Sequence, residues 1–172
     1  MKKTLQVIET MQADGVIGEY AIGGAVAATF YLEPVATLDL DVFITVQPQA
    51  DSPIVSLSPI YEYLARLGWQ PEGEHVMIAG WLVQFLPPAG PLEAEAVAEA
   101  VETKVDEVRT RVMTAEHLVA IALKTGRIKD KLRIAQFLES NVVDRPRLEQ
   151  ILARHRLVEK WRQFVEKYWT QP

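Results

Sequence analysis

Asp39 and Asp41 are the residues whose types and spacing most directly predict chemistry. They lie in an apolar stretch, 38–46, whose pattern predicts a β-strand. Successive side chains of a strand point to opposite faces, so the two carboxylates share one face and Leu40 lies on the other. Carboxylates this close repel each other unless a cation or a basic group lies between them. Oxygen ligands of this kind suit Mg²⁺, which usually takes one or two carboxylates and completes its shell with water and phosphate oxygens.

The chain before these carboxylates contains a turn that a phosphate can approach. Residues 20–22 predict a short buried strand, and Gly23-Gly24 follows it as a turn without Cβ atoms, which lets a backbone or a phosphate come close. Residues 25–32 then predict a small apolar helix. The residues alone leave a structural interpretation open, in which the two aspartates of a buried strand are exposed at its edge or paired with basic groups.

The glycine pair, the helix and the Asp39-x-Asp41 strand together resemble the nucleotidyltransferase fold of the polymerase-beta superfamily. Thr37 extends the match to the T-x-D-x-D form of its AbiEii-like branch. The resemblance implies an α/β (α+β) fold, with a small mixed β-sheet core and helices followed by a helical C-terminal lobe. It also implies that Asp39 and Asp41 are metal ligands and catalytic residues, and that Gly23, Gly24 and Thr37 help to bind a nucleoside triphosphate with Mg²⁺. A nucleotidyl group would then pass to an unknown acceptor: RNA, a protein or a small molecule.

The position of a third carboxylate departs from the family pattern. Two strands are predicted over 74–78 and 81–86, joined by Ala79-Gly80 in a pattern typical of a hairpin. The family usually carries a third acid on a later strand beside the Asp-x-Asp strand, and the equivalent residue here is Gln84. An amide can contact a metal or a ligand but cannot act as a general base. A second hypothesis is therefore a catalytically weakened or inactive nucleotide-binding or protein-interaction module with the same fold, and Gln84 can equally be a solvated strand residue.

A second stretch, 114–130, resembles the L-x-A-x-x-x-K … R-x-K-D segment of the AbiEii-like nucleotidyltransferases. The resemblance implies that Lys124 contacts a phosphate, that Arg127 or Lys129 adds positive potential, and that Asp130 orients Lys124 or the base or sugar. Judged on residue types alone, these are equally ordinary solvated charges near helix ends, where the helix dipole favours lysine at the C-terminus.

Composition limits the classes of protein. A chain of 172 residues predicts one domain, or a core over 1–90 with a mostly helical lobe over 91–172 packed against it. The net charge of −5 does not support nonspecific nucleic-acid binding by a broad basic surface. The absence of cysteine excludes disulfides, thiolate metal sites and cysteine nucleophiles, and fits an expected cytoplasmic location. Apolar runs fall short of the roughly 20 residues of a membrane helix, so no membrane partner is expected.

The remaining pattern is mostly helical. Helical spacing predicts helices over 3–11, 57–67, 92–100, 115–124, 127–138, 144–155 and 157–168, and the stretch 105–112 predicts one strand. Two apolar faces are predicted near the C-terminus. One is formed by Ile128, Leu132, Ala135 and Leu138, and the other by Val158, Trp161, Val165 and either Tyr168 or Trp169.

Overall fold

A computed structural model describes residues 1–34, 37, 39–46 and 56–169. Their helices and strands, in chain order, are α1 (Lys2–Ala13), β1 (Tyr20–Ile22), α2 (Gly24–Ala28), β2 (Asp39–Ile44), α3 (Ser58–Arg66), β3 (Pro71–Glu72), β4 (His75–Ile78), β5 (Trp81–Leu86), α4 (Pro91–Ala98), β6 (Val101–Val105), β7 (Val108–Val112), α5 (Ala115–Thr125), α6 (Ile128–Glu139), α7 (Arg145–Arg154) and α8 (Val158–Tyr168). The predicted strand residue Leu38 and the predicted loop over 47–53 lie outside the described residues. Within the described ranges, none of the helices is long and apolar enough to cross a membrane.

The described strands form one mixed seven-stranded sheet, in the order β3-β4-β5-β2-β1-β7-β6. At its centre β1 runs antiparallel to β2 and parallel to β7, and β2 runs parallel to β5. The predicted fold class, a mixed β-sheet with helices, is confirmed. Strands β6 and β7 belong to the segment after residue 90 and extend the sheet through β1, and the division of the chain at that residue remains a prediction.

Strand β2 has the alternation that the sequence predicted. Leu40, Val42 and Ile44 are fully buried, whereas Asp39 is exposed and Asp41 half-buried. Burying side chains of this size contributes roughly 1.5–3 kcal/mol each, so the apolar face determines which way the strand is turned. The carboxylates are thereby fixed on the opposite face.

The turn between β4 and β5 fixes the register of β5. Ala79 and Gly80 both have positive φ, +50° and +89°, as a tight two-residue hairpin turn requires. The predicted hairpin is confirmed, with Ile78 paired to Trp81. On its other edge β5 pairs with β2 so that Gln84 lies directly beside Asp41.

The prediction of a single strand over 105–112 is wrong. This stretch spans the turn of a hairpin between β6 and β7, and Asp106 and Glu107 at the turn both have positive φ. Val105 and Val108 face each other across the turn, which is why the valines do not follow the alternation of one strand. The short strand β3 was not predicted either.

The predicted apolar face of α6 is wrong for Ile128 and Leu132, whereas its member Leu138 is buried as predicted. Ile128 and Leu132 are 79% and 64% exposed, whereas Ile134 and Phe137 are fully buried. Both sets have helical spacing, and the helix is rotated so that Asp130 also faces inward at 1% exposure. In α8 the buried residue is Phe164 and not Val158, which is 45% exposed. Helix α2 ends at Ala28, earlier than predicted, where the hydroxyl of Thr29 donates to the carbonyl of Val26 at 2.7 Å.

Glu95 joins three of the C-terminal helices. Its carboxylate accepts from Arg154 Nη2 of α7 at 2.5 Å, and contacts Nε2 of His155 at 2.9 Å and Nε2 of His117 on α5 at 3.3 Å. The hydrogen bond from Arg154, followed by those to the two histidines, lowers the pKa of Glu95 to about 2. These contacts hold α4 against α5 and α7.

Candidate functional site

The glycine pair packs directly against the carboxylate strand. The amide of Gly23 donates to the carbonyl of Asp41 at 2.9 Å. Gly24 has φ +61°, and a Cβ at this position would overlap Oδ2 of Asp41 and lie 2.8 Å from its Cγ. A Cβ on Gly23 would lie 2.6 Å from the ring of Phe43. Glycine is therefore required at 24 both by its backbone angle and by the space that the carboxylate occupies.

The surroundings of Asp41 disfavour the charged form of its carboxyl group. Burial raises the pKa of the Asp41 carboxyl above its ordinary value, and the neighbouring charge of Asp39 raises it further. Arg127, Arg133 and Lys129 act in the opposite direction without reversing the shift. Two carboxylates on one face, one of them half-buried, form a donor set that fits a hard divalent cation such as Mg²⁺.

A cavity of about 220 Å³ opens over this face. Residues of the sheet and the glycine turn line one side of the cavity, and residues of α5 and α6 line the other. The polar and glycine residues that line it are Gly24, Asp41, Gln84, Thr125, Arg127, Asp130 and Arg133. We call this cavity the cleft. It brings together Gly24, Asp41, Gln84, Arg127 and Asp130, five of the residues that the sequence predicted for the site.

Asp130 orients Arg127 over the cleft. The buried carboxylate accepts from Arg127 Nε at 2.8 Å, from Nη2 at 3.2 Å and from the backbone amide at 3.2 Å. The hydrogen bond with Asp130 raises the pKa of Arg127, and the charge of Asp41 adds to that shift. A guanidinium held in this way offers its remaining donors to an anion in the cleft.

Lys124 lies elsewhere. Its Nζ donates to both carboxylate oxygens of Glu93, at 2.7 and 2.9 Å, and it lines a separate cavity with Arg154 and His155. It is not among the described residues that line the cleft. Asp130 pairs with Arg127 instead of Lys124. The nucleotide-binding role of Lys124 remains a prediction, since the carboxylate that it contacts is that of Glu93. Thr37 is half-buried, two residues before Asp39.

Gln84, which lines the cleft, contacts a further acid outside it. Its Nε2 donates to Oε2 of Glu74 at 3.2 Å, and Glu74 is exposed at the turn before β4. The sequence did not place the Glu74 side chain, because it predicted a strand that begins at this residue, whereas Glu74 lies in the turn before β4. It also missed Arg133, although the spacing of Arg127, Asp130 and Arg133 at i, i+3 and i+6 gives one helix face.

A second set of metal-type ligand atoms lies away from the cleft. Ligand atoms of Glu95, Glu99 and His117 come within 4.8 Å of one another. Glu95 is already engaged by Arg154 and His155, and Glu99 accepts from Arg147 at 2.9 Å. These contacts give the cluster a structural role between helices.

Three solved structures share the architecture. The solution structure of the antibiotic-resistance factor ANT(2″)-Ia is 16% identical, covers 94% of this chain and 95% of its own, and has a TM-score of 0.54. An antigenic nucleotidyltransferase-like protein from Paracoccidioides brasiliensis is 12% identical, with 96% and 93% covered and a TM-score of 0.59. ANT(2″)-Ia in complex with adenylyl-2″-tobramycin is 14% identical, with 88% and 96% covered and a TM-score of 0.51.

Each structural similarity covers most of this chain and of the solved chain, at low sequence identity. No model of a known protein family matches the chain, and no curated protein matches it. The chain therefore has the nucleotidyltransferase fold, which the sequence resemblance implied.

Proposed function

We propose that this chain is a nucleotidyltransferase that binds a nucleoside triphosphate with Mg²⁺ in the cleft and transfers the nucleotidyl group to an acceptor. The observation that carries the proposal is the packing of Gly24 against Asp41, opposite Arg127. This packing joins a close-approach turn, the Asp41 carboxylate and an anchored cation in one cavity, and Asp39 lies on the same face of β2. The fold shared with nucleotidyltransferases supports the same conclusion.

The proposed roles follow from charge. Asp39 and Asp41 would hold Mg²⁺, and the metal when bound neutralises charge on phosphate oxygens. Arg127 and Arg133 would contact the phosphates, and the Gly23-Gly24 turn would let them approach the backbone. In the transfer, the acceptor hydroxyl oxygen bonds to the α-phosphorus, the bond from that phosphorus to the bridging oxygen breaks, pyrophosphate leaves and the hydroxyl proton passes to water. Such a reaction depends mainly on positioning and electrostatic stabilisation.

Gln84 favours a second candidate function, a nucleotide-binding or protein-interaction module that turns over slowly or not at all. It lies directly beside Asp41, and its amide cannot take a proton from an acceptor. The acid that Gln84 contacts is Glu74, and this side chain is exposed. The narrower assignment to the AbiEii-like branch remains a prediction from Thr37 and the 114–130 segment.

The two functions separate in one experiment. The chain is incubated with Mg²⁺ and each labelled nucleoside triphosphate, and nucleotide binding, label transfer and pyrophosphate release are measured. ATP comes first, because ANT(2″)-Ia was solved with an adenylyl product. We expect the Asp39→Asn/Asp41→Asn variant to lose binding and turnover, while Glu102→Gln, on the exposed edge strand β6, keeps both.

The outcomes distinguish the enzyme from the binding module. Pyrophosphate release that disappears in the double variant supports the enzyme. Binding without release, when RNA, protein and hydroxyl-bearing small molecules are also offered as acceptors, supports the module if the binding disappears in the same variant. Turnover or binding that survives loss of both carboxylates refutes the proposed site.

A further inference from the structure

We propose that a second cavity beside the cleft binds the phosphate group of a small organic phosphate, and that this ligand is the acceptor. The cavity has a volume of about 320 Å³ and lies between α5, α6 and α8. We call it the lysine pocket, because Lys131, Lys160 and Lys167 line it together with Gln163 and Tyr168.

The three ammonium groups of the lysine pocket are oriented without acidic partners. Lys160 Nζ donates to the carbonyl of Lys124 at 2.8 Å. Lys131 Nζ donates to the Tyr168 hydroxyl at 3.2 Å and lies 4.8 Å from the centre of its ring, and Lys167 Nζ lies 5.4 Å from the same centre. Among the described residues, none of the three lysines forms an ion pair. In a chain of net charge −5, this is a local excess of positive charge.

The lining indicates the chemical class of the ligand. A phosphate monoester carries close to two negative charges at neutral pH and three acceptor oxygens. Lysine is a common phosphate ligand because it acts as a compact point charge with three donors. The inner wall is apolar, with Leu123, Ile134 and Phe164 buried. A phosphate among the lysines, attached to an apolar or aromatic body, satisfies both surfaces. To act as the acceptor the same body must carry a free hydroxyl, whose oxygen bonds to the α-phosphorus while pyrophosphate leaves and the hydroxyl proton passes to water.

The position of the lysine pocket makes its ligand the acceptor. Ala122 and Thr125 of α5 line both cavities. Helix α6 also lines both cavities, with Asp130 and Arg133 toward the cleft and Lys131 and Ile134 toward the lysine pocket. A ligand here lies next to a nucleotide in the cleft, so this part of the inference rests on the proposed transfer function. A polycation such as tobramycin would be repelled by the same lysines.

Binding is tested without nucleotide, by calorimetric titration of the full chain with phenyl phosphate and with tobramycin. The test variant is Lys160→Gln/Lys167→Gln. The control is Lys2→Gln/Lys104→Gln, which changes the net charge equally at exposed lysines outside the pocket. Each exposed ammonium–phosphate contact is expected to contribute about fivefold, so the test variant should weaken phenyl phosphate binding roughly 25-fold and the control less than twofold.

The titrations can refute the lysine pocket as a phosphate-binding site. The proposed site is refuted if phenyl phosphate does not bind, or if it binds the test and control variants equally. It is also refuted if tobramycin binds more tightly than phenyl phosphate. If Arg133→Gln weakens phenyl phosphate binding and the lysine variant does not, phenyl phosphate binds in the cleft, and the lysine pocket is refuted as its site. Thermal melting of each variant establishes that the exposed substitutions leave the fold intact.

The acceptor role has its own measurement. With ATP and Mg²⁺, phenyl phosphate is expected to inhibit pyrophosphate release, and the Lys160→Gln/Lys167→Gln variant to escape the inhibition. Inhibition that is the same in both proteins refutes the acceptor role. If ATP gives no pyrophosphate release in any protein, release is measured again with a phosphate monoester that carries a free hydroxyl. Its absence there as well refutes the acceptor role, while the nucleotide-free titration still decides the binding site.

Discussion

Replacing Gly24 with alanine tests the contact on which the proposed site depends. The positive φ of +61° costs an alanine roughly 1–2 kcal/mol. The new Cβ would also overlap the Asp41 carboxylate, and overpacking of this kind typically costs about 1–3 kcal/mol. The free energy of unfolding should therefore fall by about 2–5 kcal/mol, measured by urea denaturation. Displacement of the carboxylate should also weaken binding of ATP with Mg²⁺.

Two comparisons isolate the two contributions. Gly15 has φ +70° and open space where its Cβ would be, so Gly15→Ala reports the backbone cost alone. Asp41→Ala removes the two nearest clashing atoms and leaves Cβ of residue 41 at 3.2 Å, so Gly24→Ala should cost about 1–3 kcal/mol less in that background. Equal costs of Gly24→Ala in both backgrounds would refute the contact between Gly24 and the carboxylate.

Two further predictions concern the helices. Ile134→Ala should lower the free energy of unfolding by about 2–5 kcal/mol, and Leu132→Ala by less than about 0.5 kcal/mol, in denaturant titrations; the opposite order would restore the face expected from the sequence. The hydrogen bond from Arg154 lowers the pKa of Glu95 from 4.5 to about 2, so its stabilisation is complete above the unfolded value and lost as the pH falls from about 5 to 2. Unfolding at pH 5 and 2 should show the native chain losing about 1–2 kcal/mol more than Glu95→Gln, with Glu102→Gln behaving as the native chain.

The parts of the site that the sequence predicted are those determined by local rules. Alternation along β2 places Asp39 and Asp41 on one face, and the position of Gly23-Gly24 after a buried strand predicts the turn. Both depend on residues that are neighbours in the chain, so no tertiary information is needed. The hairpin around Ala79-Gly80 is local in the same sense.

The parts that were missed depend on how distant elements pack. Helix α6 has two stripes with helical spacing, and only packing against α5 selects the one that includes Ile134. The same rotation directs Arg133 into the cleft and leaves Leu132 exposed. The pairing of Lys124 with Glu93 joins residues 31 positions apart, which no local pattern specifies.

The tight turn between β4 and β5 limits how the chain tolerates insertions and deletions. Since β5 pairs with strands on both edges, a change in length there cannot be absorbed by one neighbour alone. Deleting one residue between the turn and Gln84 would move Phe85 beside Asp41 and turn the buried face of β5 outward. Length variation compatible with this fold is therefore expected outside 79–84, and any loop grafted at this edge must keep a two-residue turn.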